Sequence, residues 1–460
     1  MPEHVNIGVI AAAGKGTRAY PRTTQIHKTV FEIQGKTLLH HNAEILVKQL
    51  GVQKIYVIAG HLEAQVRAAV KKISVSDLKV DIEVINWTRR GLAADVASLS
   101  DKISEPFQLI LGDEFYYKPD FSAFLQFSAS NRDFEAAIGY VHTPFVTKIR
   151  KNYSVLLEGD RIKRLVEKPA DPPNDMLGVG SYLLKPSYFE FFRKTPQSHH
   201  SGVVEITYVL DRMAQETGKV FAVPLTCDYF NINTMQDYHQ AVYEVRNDQF
   251  DTFSVSLIIP GGKHAALTGD VVEDFKDKVR EIVVLDGAFT GEQVMNGFDR
   301  ATGDLLVLVS PDGAFRSKDL PKLLEYMKDS DMVIGTRVTR QMIEQGSNVR
   351  PFVRLVNLFL GKLVDVFWWG QQPRFTDVDC RYLCIWKDAY LGIRPQLSHR
   401  SKFPVVELMI EVVRHFMRCV EIPVSYHTTQ ETEPYSFWKT CKNAISIGWI
   451  IIRKKIEFSI

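Results

Sequence analysis

The stretch GVIAAAGKGTR, Gly8–Arg18, decides how the first half of this chain folds. An apolar, partly β-branched run stops at Gly14 and Gly16 and continues into the polar pair Thr17-Arg18. The run reads as a buried strand, the glycines as a tight turn and the polar pair as the entry to a helix. Glycine at 14 and 16 lets backbone N–H groups approach an anion with no Cβ in the way. Arg18 would add a charge-assisted fork to phosphate oxygens. An ordinary strand–turn–helix with a surface arginine accounts for the same residues. A Walker loop needs four residues between its glycines, and the dinucleotide fingerprint needs a third glycine where Ala19 stands, so neither fits.

Working outward, a second start of the same kind occurs at Ser254–Pro260 (SVSLIIP), which runs into Gly261-Gly262. After the first start, apolar runs at Lys54–Ala59, Asp81–Trp87, Phe107–Leu111 and Ala136–Val141 alternate with helix-like segments. After the second, the runs are Glu281–Leu285, Asp304–Val309 and Asp331–Gly335. Alternation of this kind implies crossover units and a mainly parallel sheet flanked by helices. The polar stretch Arg246–Asp251 (RNDQFD) is the candidate linker, which predicts two α/β, Rossmann-like domains at 1–245 and 252–460.

Composition agrees with that plan. The 460 residues are 45% hydrophobic and 24% charged, enough for two full-sized cores. A net charge of +2 points to no nucleic-acid partner. No run approaches 18 apolar residues, and no basic region precedes the short apolar run at the start, so neither a membrane span nor a secretory signal is expected. Cys227, Cys380, Cys384, Cys419 and Cys441 form no metal-binding spacing and read as reduced thiols of a cytoplasmic protein.

Ala12–Leu39, AAGKGTRAYPRTTQIHKTVFEIQGKTLL, resembles the signature of the sugar nucleotidyltransferases. Those enzymes make nucleoside-diphosphate sugars from a nucleoside triphosphate and a sugar 1-phosphate. The resemblance implies that Ala12, Ala13, Gly14, Gly16, Thr17 and Arg18 hold the triphosphate and that Lys28 contacts the α-phosphate. His27 stands where the family usually has proline. Gly91-Leu92-Ala93-Ala94 is similar to the helix start near the base, which implies a nucleotide contact at Gly91. FQLILGDEF (Phe107–Phe115) resembles the strand whose aspartate, here Asp113, binds Mg2+. VEKP (Val166–Pro169) resembles the sugar-phosphate motif and implies roles for Glu167 and Lys168. Gly180 and Glu205 match positions lining the sugar. YFNINTMQDY (Tyr229–Tyr238) resembles the closing motif, with Asn231 at the second metal position, where an amide replaces the usual carboxylate. The chemistry implied is an in-line displacement at the α-phosphorus with loss of pyrophosphate. It needs alignment and charge neutralisation, which Arg18, Lys28 and Lys168 would supply, and no covalent nucleophile.

From Ser254 onward the chain resembles family-2 glycosyltransferases of the dolichyl-phosphate mannose or glucose synthase branch, whose fold is of the GT-A type. The matching stretches include EIVVLDGAFTG (Glu281–Gly291), MNGFDRATGDLLVLVSPDGAF (Met295–Phe315) and FTDVDCRYL (Phe375–Leu383). This resemblance implies nucleotide binding by Asp286, a metal (Mg2+ or Mn2+) at Asp312, phosphate clamping by Arg337 and Arg350, and an acceptor-side acid at Asp377. The acceptor would be a polyprenyl phosphate or a glycan. The departures are Gly261–His264 after the first strand and Ser310-Pro311-Asp312 in place of a paired-aspartate motif. The second domain is then either a specialised transferase or a domain kept for binding or assembly.

The tail carries an apolar run, Ala444–Ile452, followed by Arg453-Lys454-Lys455. It reads either as a terminal helix packed on the second domain or as a segment in peripheral contact with a membrane. A homo-oligomer is compatible with the sequence. A cytidylyltransferase acting on a phospho-alcohol or phosphonate is the rival within the first domain, and a nucleotide-sugar sensor with two inactive sites is the non-enzymatic one.

Overall fold

The computed structural model describes residues 5–74, 78–199, 201–261, 265–339, 349–371, 373–427 and 436–459. The Gly262–His264 part of the departure after the second start lies outside them. The chain forms two compact units, Met1–Ala241 and Val242–Ile460.

In the first unit the strands are β1 (Ile7–Ala12), a small hairpin β2 (Glu32–Ile33) and β3 (Lys36–Thr37), β4 (Lys54–Ala59), β5 (Asp81–Asn86), β6 (Phe107–Leu111) and β7 (Glu114–Asp120). They continue with β8 (Ala136–His142), β9 (Tyr153–Glu158), β10 (Arg161–Glu167), β11 (Met176–Leu184), β12 (Val220–Pro224) and β13 (Thr226–Asn231). Among the described residues nine of these build one sheet in the order β5-β4-β1-β6-β11-β8-β12-β10-β9. The β5-β4-β1-β6 half is parallel. Beyond it, β11 runs antiparallel to both β6 and β8. The remaining pair, β13 with β7, is antiparallel and carries Asn231 opposite Glu114. β1 shows why a parallel sheet needs continuous apolar runs: Val9 and Ile10 point to opposite faces and both are fully buried.

In the second unit β14 (Val255–Pro260), β15 (Glu281–Leu285) and β16 (Leu305–Val309) are parallel. β17 (Met332–Thr336), β18 (Tyr382–Trp386) and β19 (Cys419–Pro423) complete a six-stranded sheet of the described residues, order β15-β14-β16-β18-β17-β19. Only β18 is reversed. The reversed strand follows a long helical excursion, the helix Pro351–Phe367, whose Leu360 and Val364 are buried against the core.

The expected linker is a correction. Arg246–Gln249 is the last turn of the helix Met235–Gln249, and Phe250–Thr252 is a short 3-10 turn. Its polarity is that of a solvated helix face, whereas the inward side is held by specific contacts. Arg246 Nη1 donates to the Ser330 carbonyl (2.9 Å), Nη2 to Asp331 (3.1 Å), and the guanidinium lies 4.7 Å over the Trp386 ring. The tail is a helix, Phe437–Ser459, with Ile447 and Ile451 buried against the second core. No described helix is long and apolar enough to cross a membrane.

Candidate active site

A cavity of about 380 Å³ lies over the C-terminal ends of β1 and β6 and is lined by Ala11, Ala12 and Leu111 of those strands. Open α/β sheets bind ligands at such strand ends. One wall is the quoted loop: Ala12, Ala13, Gly14, Gly16, Thr17 and Arg18 all line the cavity. Gly16 has φ +61°, the left-handed region that glycine adopts without penalty, and its carbonyl accepts from the Thr23 hydroxyl (2.8 Å). A Cβ on Gly14 would meet nothing within 4 Å, so the backbone there is open to a ligand. Opposite, Gly112 lets β6 end close against β1. A Cβ there would sit 2.7 Å from the Ala11 carbonyl oxygen.

Lys28 and Asp113 meet across the floor, Nζ to Oδ2 2.5 Å. The lysine side chain is 9% exposed and the aspartate 31%, so the carboxylate keeps a solvent-facing side toward the cavity. Burial pushes the Asp113 carboxyl up, but the Lys28 charge and hydrogen bond, with help from Arg18, hold it below the usual carboxylate range. Lys28 stands in a short 3-10 turn capped by His27, whose Nδ1 accepts from the Thr29 N–H (3.2 Å). Burial and the neighbouring His61 lower the His27 pKa to about 4, so the imidazole is neutral and available as that acceptor. The residue standing in the usual proline position therefore caps the turn that carries the lysine.

On the far wall Gly91, at φ +97°, opens the helix Leu92–Ala97 and lines the cavity together with Trp87 and Arg89. Asp95 of that helix accepts from the Thr88 N–H (2.7 Å) and hydroxyl (2.6 Å), which fixes the approach to Gly91. Arg18 Nη2 donates to Asn233 Oδ1 (2.5 Å), tying the loop to the segment after β13.

Asn231 lies just beyond, in a second cavity of about 240 Å³ that it shares with Asn152, Lys148 and Lys151 and that adjoins the first at Asn233. Its Nδ2 donates to Asn152 Oδ1 (2.6 Å), while its own Oδ1 is buried with no hydrogen-bond partner. The next residue, Ile232, donates its N–H to the Asp113 carbonyl (3.0 Å). An orphaned amide oxygen one residue from that contact, and the Asp113 carboxylate in the adjoining cavity, are hard oxygen donors of the kind Mg2+ accepts when phosphates and waters complete the shell. No group of three or more His, Cys, Asp or Glu side chains is poised to hold a metal among the described residues.

The other matched residues lie differently. Lys168 has φ +44°, is 60% exposed, and its Nζ is 3.2 Å from Glu167, while its N–H donates to the Asn152 carbonyl (2.7 Å). Glu167 also accepts from the Thr207 hydroxyl (3.0 Å). Neither residue lines the first cavity. Glu205 precedes the helix Ile206–Thr217 and makes no side-chain cap. Gly180 is buried in β11 and its N–H is taken by Glu114 (2.8 Å).

Glu114 itself escaped the sequence reading. It is 2% exposed and accepts from the Tyr116 hydroxyl (2.5 Å), the Tyr229 hydroxyl (2.6 Å) and Gly180. Burial pushes its pKa up to about 7 against the pull of those donors. It thereby ties β7, β11 and β13 together directly behind Asp113. The available signal was the alternation of Glu114 with Tyr116 along a strand, which a strand of unknown register does not betray.

In the second unit Asp286 follows β15 and is exposed. Asp312 follows β16, with Oδ1 accepting from the Ala314 N–H (3.2 Å). Both thus stand at C-terminal strand ends. Arg337 and Asp377 are bonded to each other. Nε and Nη2 each reach a carboxylate oxygen at 2.7 Å, and Asn357 supplies a further donor (2.8 Å) to an aspartate that is fully buried. Arg350 stands at the N-cap position of the helix Pro351–Phe367 and makes no side-chain cap bond there. Asp379, two residues after Asp377, is half-buried with a buried Oδ1 that has no partner; burial pushes its carboxyl up against the pull of Arg381 and Arg337.

Residues 7–248 match the model of the family described as nucleotidyl transferase. The chain belongs to the nucleotidyl transferase family. Residues 263–377 match the glycosyl transferase family 2 model, so this nucleotidyl transferase carries a second unit of that kind. UTP–glucose-1-phosphate uridylyltransferase AglF of Haloferax volcanii is 26% identical over 249 residues, covering 52% of this chain and 96% of that protein. A probable mannose-1-phosphate guanylyltransferase of Oryza sativa is 28% identical over 240 residues, covering 50% of this chain and 62% of that protein. A solved UDP-glucose pyrophosphorylase bound to UDP-glucose aligns at TM-score 0.47 and 20% identity, over 53% of this chain and 99% of that chain.

Proposed function

We propose that the first unit transfers a nucleotidyl group from a nucleoside triphosphate to a sugar 1-phosphate, releasing pyrophosphate. The observation that carries this reading is the Lys28–Asp113 pair on the floor of a cavity walled by the glycine loop and Arg18. The open backbone of Gly14 and Gly16 and the Arg18 guanidinium receive the triphosphate. Lys28 neutralises charge developing on the α-phosphate, and Arg18 that on the departing pyrophosphate. Asp113 and the Asn231 amide oxygen are the groups that would hold Mg2+, which supplies charge neutralisation on the phosphates when bound. Lys168 approaches the attacking phosphate from the side of Asn152 and the second cavity, whose Lys148 and Lys151 make it favourable to an anion. The attacking oxygen is already ionised on the sugar phosphate, so no side chain needs to accept a proton.

The second unit transfers a sugar from its nucleotide carrier, with Asp286 and Asp312 at the strand ends as its nucleotide and metal groups. The matching family model favours this over a purely structural role. Its acceptor is of the polyprenyl-phosphate or glycan class. Full-length wild type and Asp113→Ala should be incubated with Mg2+, each nucleoside triphosphate and a sugar 1-phosphate, and the nucleotide sugar resolved by anion-exchange chromatography. Product from wild type and loss of product from the variant is the expected result. Absence of product from both favours the sensor reading, and product that forms only in a parallel reaction, with CTP and a phospho-alcohol in place of the sugar 1-phosphate, favours the cytidylyltransferase.

A further inference from the structure

The helices Pro351–Phe367 and Phe437–Ser459 lie side by side in the second unit. The Phe352 and Phe437 rings are 4.8 Å apart at one end, and at the other Lys455 Nζ donates to the Phe367 carbonyl (2.7 Å). They therefore run parallel. Each buries one face: Leu360 and Val364 on the first, Ile447 and Ile451 on the second. The opposite faces are apolar as well. On the first helix and the turn after it, Leu355 (63% exposed), Phe359 (68%), Val366 (70%) and Trp369 (79%) follow one another at steps of three, four or seven residues, which keep to one helix face. On the second, Trp438 (80%), Ile445 (75%), Trp449 (63%), Ile452 and Ile456 do the same. A helix whose outward stripe is this apolar has two amphipathic faces, and only the inner one is covered.

The charges on this surface select its occupant. Five Lys and Arg are exposed on the two helices, Arg354, Lys362, Lys439, Lys442 and Arg453, against two acids, Asp365 and Glu457, while Lys454 is buried on Glu411. Both acids are already engaged by neighbours on their own helices, Lys362 at 2.6 Å and Arg453 at 3.6 Å. Lys362 and Lys442 fall within the two stripes themselves. The core of a protein–protein interface is poor in lysine, and a second copy would bring lysine stripe against lysine stripe. In a lipid headgroup layer Lys442 snorkels to anionic phosphates while tryptophan rings take the interfacial depth. The second helix, 23 residues or about 35 Å long, is long enough to lie flat and hold the whole stripe at one depth.

We propose that this two-helix face is a docking surface for an anionic membrane, on which the second unit rests with its paired helices half-submerged. None of the stripe residues lines the first unit's cavity, so the inference does not depend on the nucleotidyl transfer reading.

The test uses the full-length protein and vesicles of phosphatidylcholine with and without phosphatidylglycerol, followed by flotation and by tryptophan emission. Wild type should float with the anionic vesicles, show a blue-shifted emission, and dissociate as salt is raised. The double variant Ile445→Glu/Trp449→Glu alters only exposed side chains and should lose at least about tenfold in vesicle partition while keeping the wild-type melting temperature and circular dichroism. Lys442→Glu should weaken binding to anionic vesicles only. Wild type that stays unbound, or a double variant that floats as wild type does, overturns the proposal. So does a dimer in light scattering that the double variant dissociates without any vesicle binding, which would make this face a contact between copies.

Discussion

Replacing Lys28 with Met separates what the buried pair does for the fold from what it does for the reaction. The ammonium is 2.5 Å from Asp113 and nearly buried, and its removal leaves a carboxylate that burial already disfavours. Deleting one partner of a fully dry pair costs about 3–5 kcal/mol. Because Asp113 is 31% exposed, water solvates part of the orphaned charge, and a stability loss of about 1–3 kcal/mol is expected. With Lys28 gone the main cause holding the Asp113 pKa down is gone too, so the carboxyl should titrate higher and the acid limb of activity should move to higher pH. The catalytic loss should be larger than the structural one. Removing one preorganised charge donor from a transition state costs about 100- to 1000-fold in turnover, or roughly 2.7–4 kcal/mol. Since Lys28 and a cation compete for Asp113, half-saturation by Mg2+ should not rise in the variant even as turnover collapses. Continuous pyrophosphate release over a Mg2+ titration, beside thermal denaturation, reads all of these. Turnover within threefold of wild type, or a variant whose only defect is a raised Mg2+ requirement, would refute the role given to the lysine.

Glu114 has a folded pKa of about 7 against 4.5 for an unperturbed glutamate, so its contribution to stability is complete below pH 4.5 and is lost as pH rises through 7. The stability of wild type relative to Glu114→Gln should therefore fall by about 3 kcal/mol between pH 4.5 and 8, measured by urea denaturation; a pH-independent difference contradicts the burial argument. His27 has the opposite sign, its pKa being depressed from 6.5 to about 4, so the advantage of wild type over His27→Asn should shrink as pH falls through that window. Asp377→Ala strands the buried Arg337 and should destabilise the second unit by about 3–5 kcal/mol while leaving pyrophosphate release intact, as paired denaturation and activity measurements would show.

The parallel strands were legible because buried parallel strands are continuous apolar runs. Lys54–Ala59, Phe107–Leu111 and Glu281–Leu285 come out of the sequence with the bounds they have in the fold. The antiparallel strands were not. β11 reads MLGVGSYLL, where two glycines interrupt the pattern, and its place between β6 and β8 is decided by long-range pairing. Polarity misled at Arg246–Asp251, since a charged helix face and a linker share a composition and differ only in what Arg246 touches. At the site, loop residues contiguous in sequence were readable, as was the aspartate ending a strand. Asn233, Glu114 and the mutual engagement of Arg337 with Asp377 depend on partners tens to hundreds of residues away. The outward stripes of the two second-unit helices needed the inner faces to be known first, because an apolar stripe in sequence ordinarily marks the buried side.

The most direct test of the central claim is pyrophosphate release by the full-length protein over four nucleoside triphosphates crossed with common hexose 1-phosphates, with Mg2+ present. At least one pair should turn over, and its turnover should vanish in Asp113→Ala. If no pair releases pyrophosphate from a folded protein that still binds nucleotide, the cavity at Gly8–Arg18 is a binding site and not a nucleotidyl-transfer site.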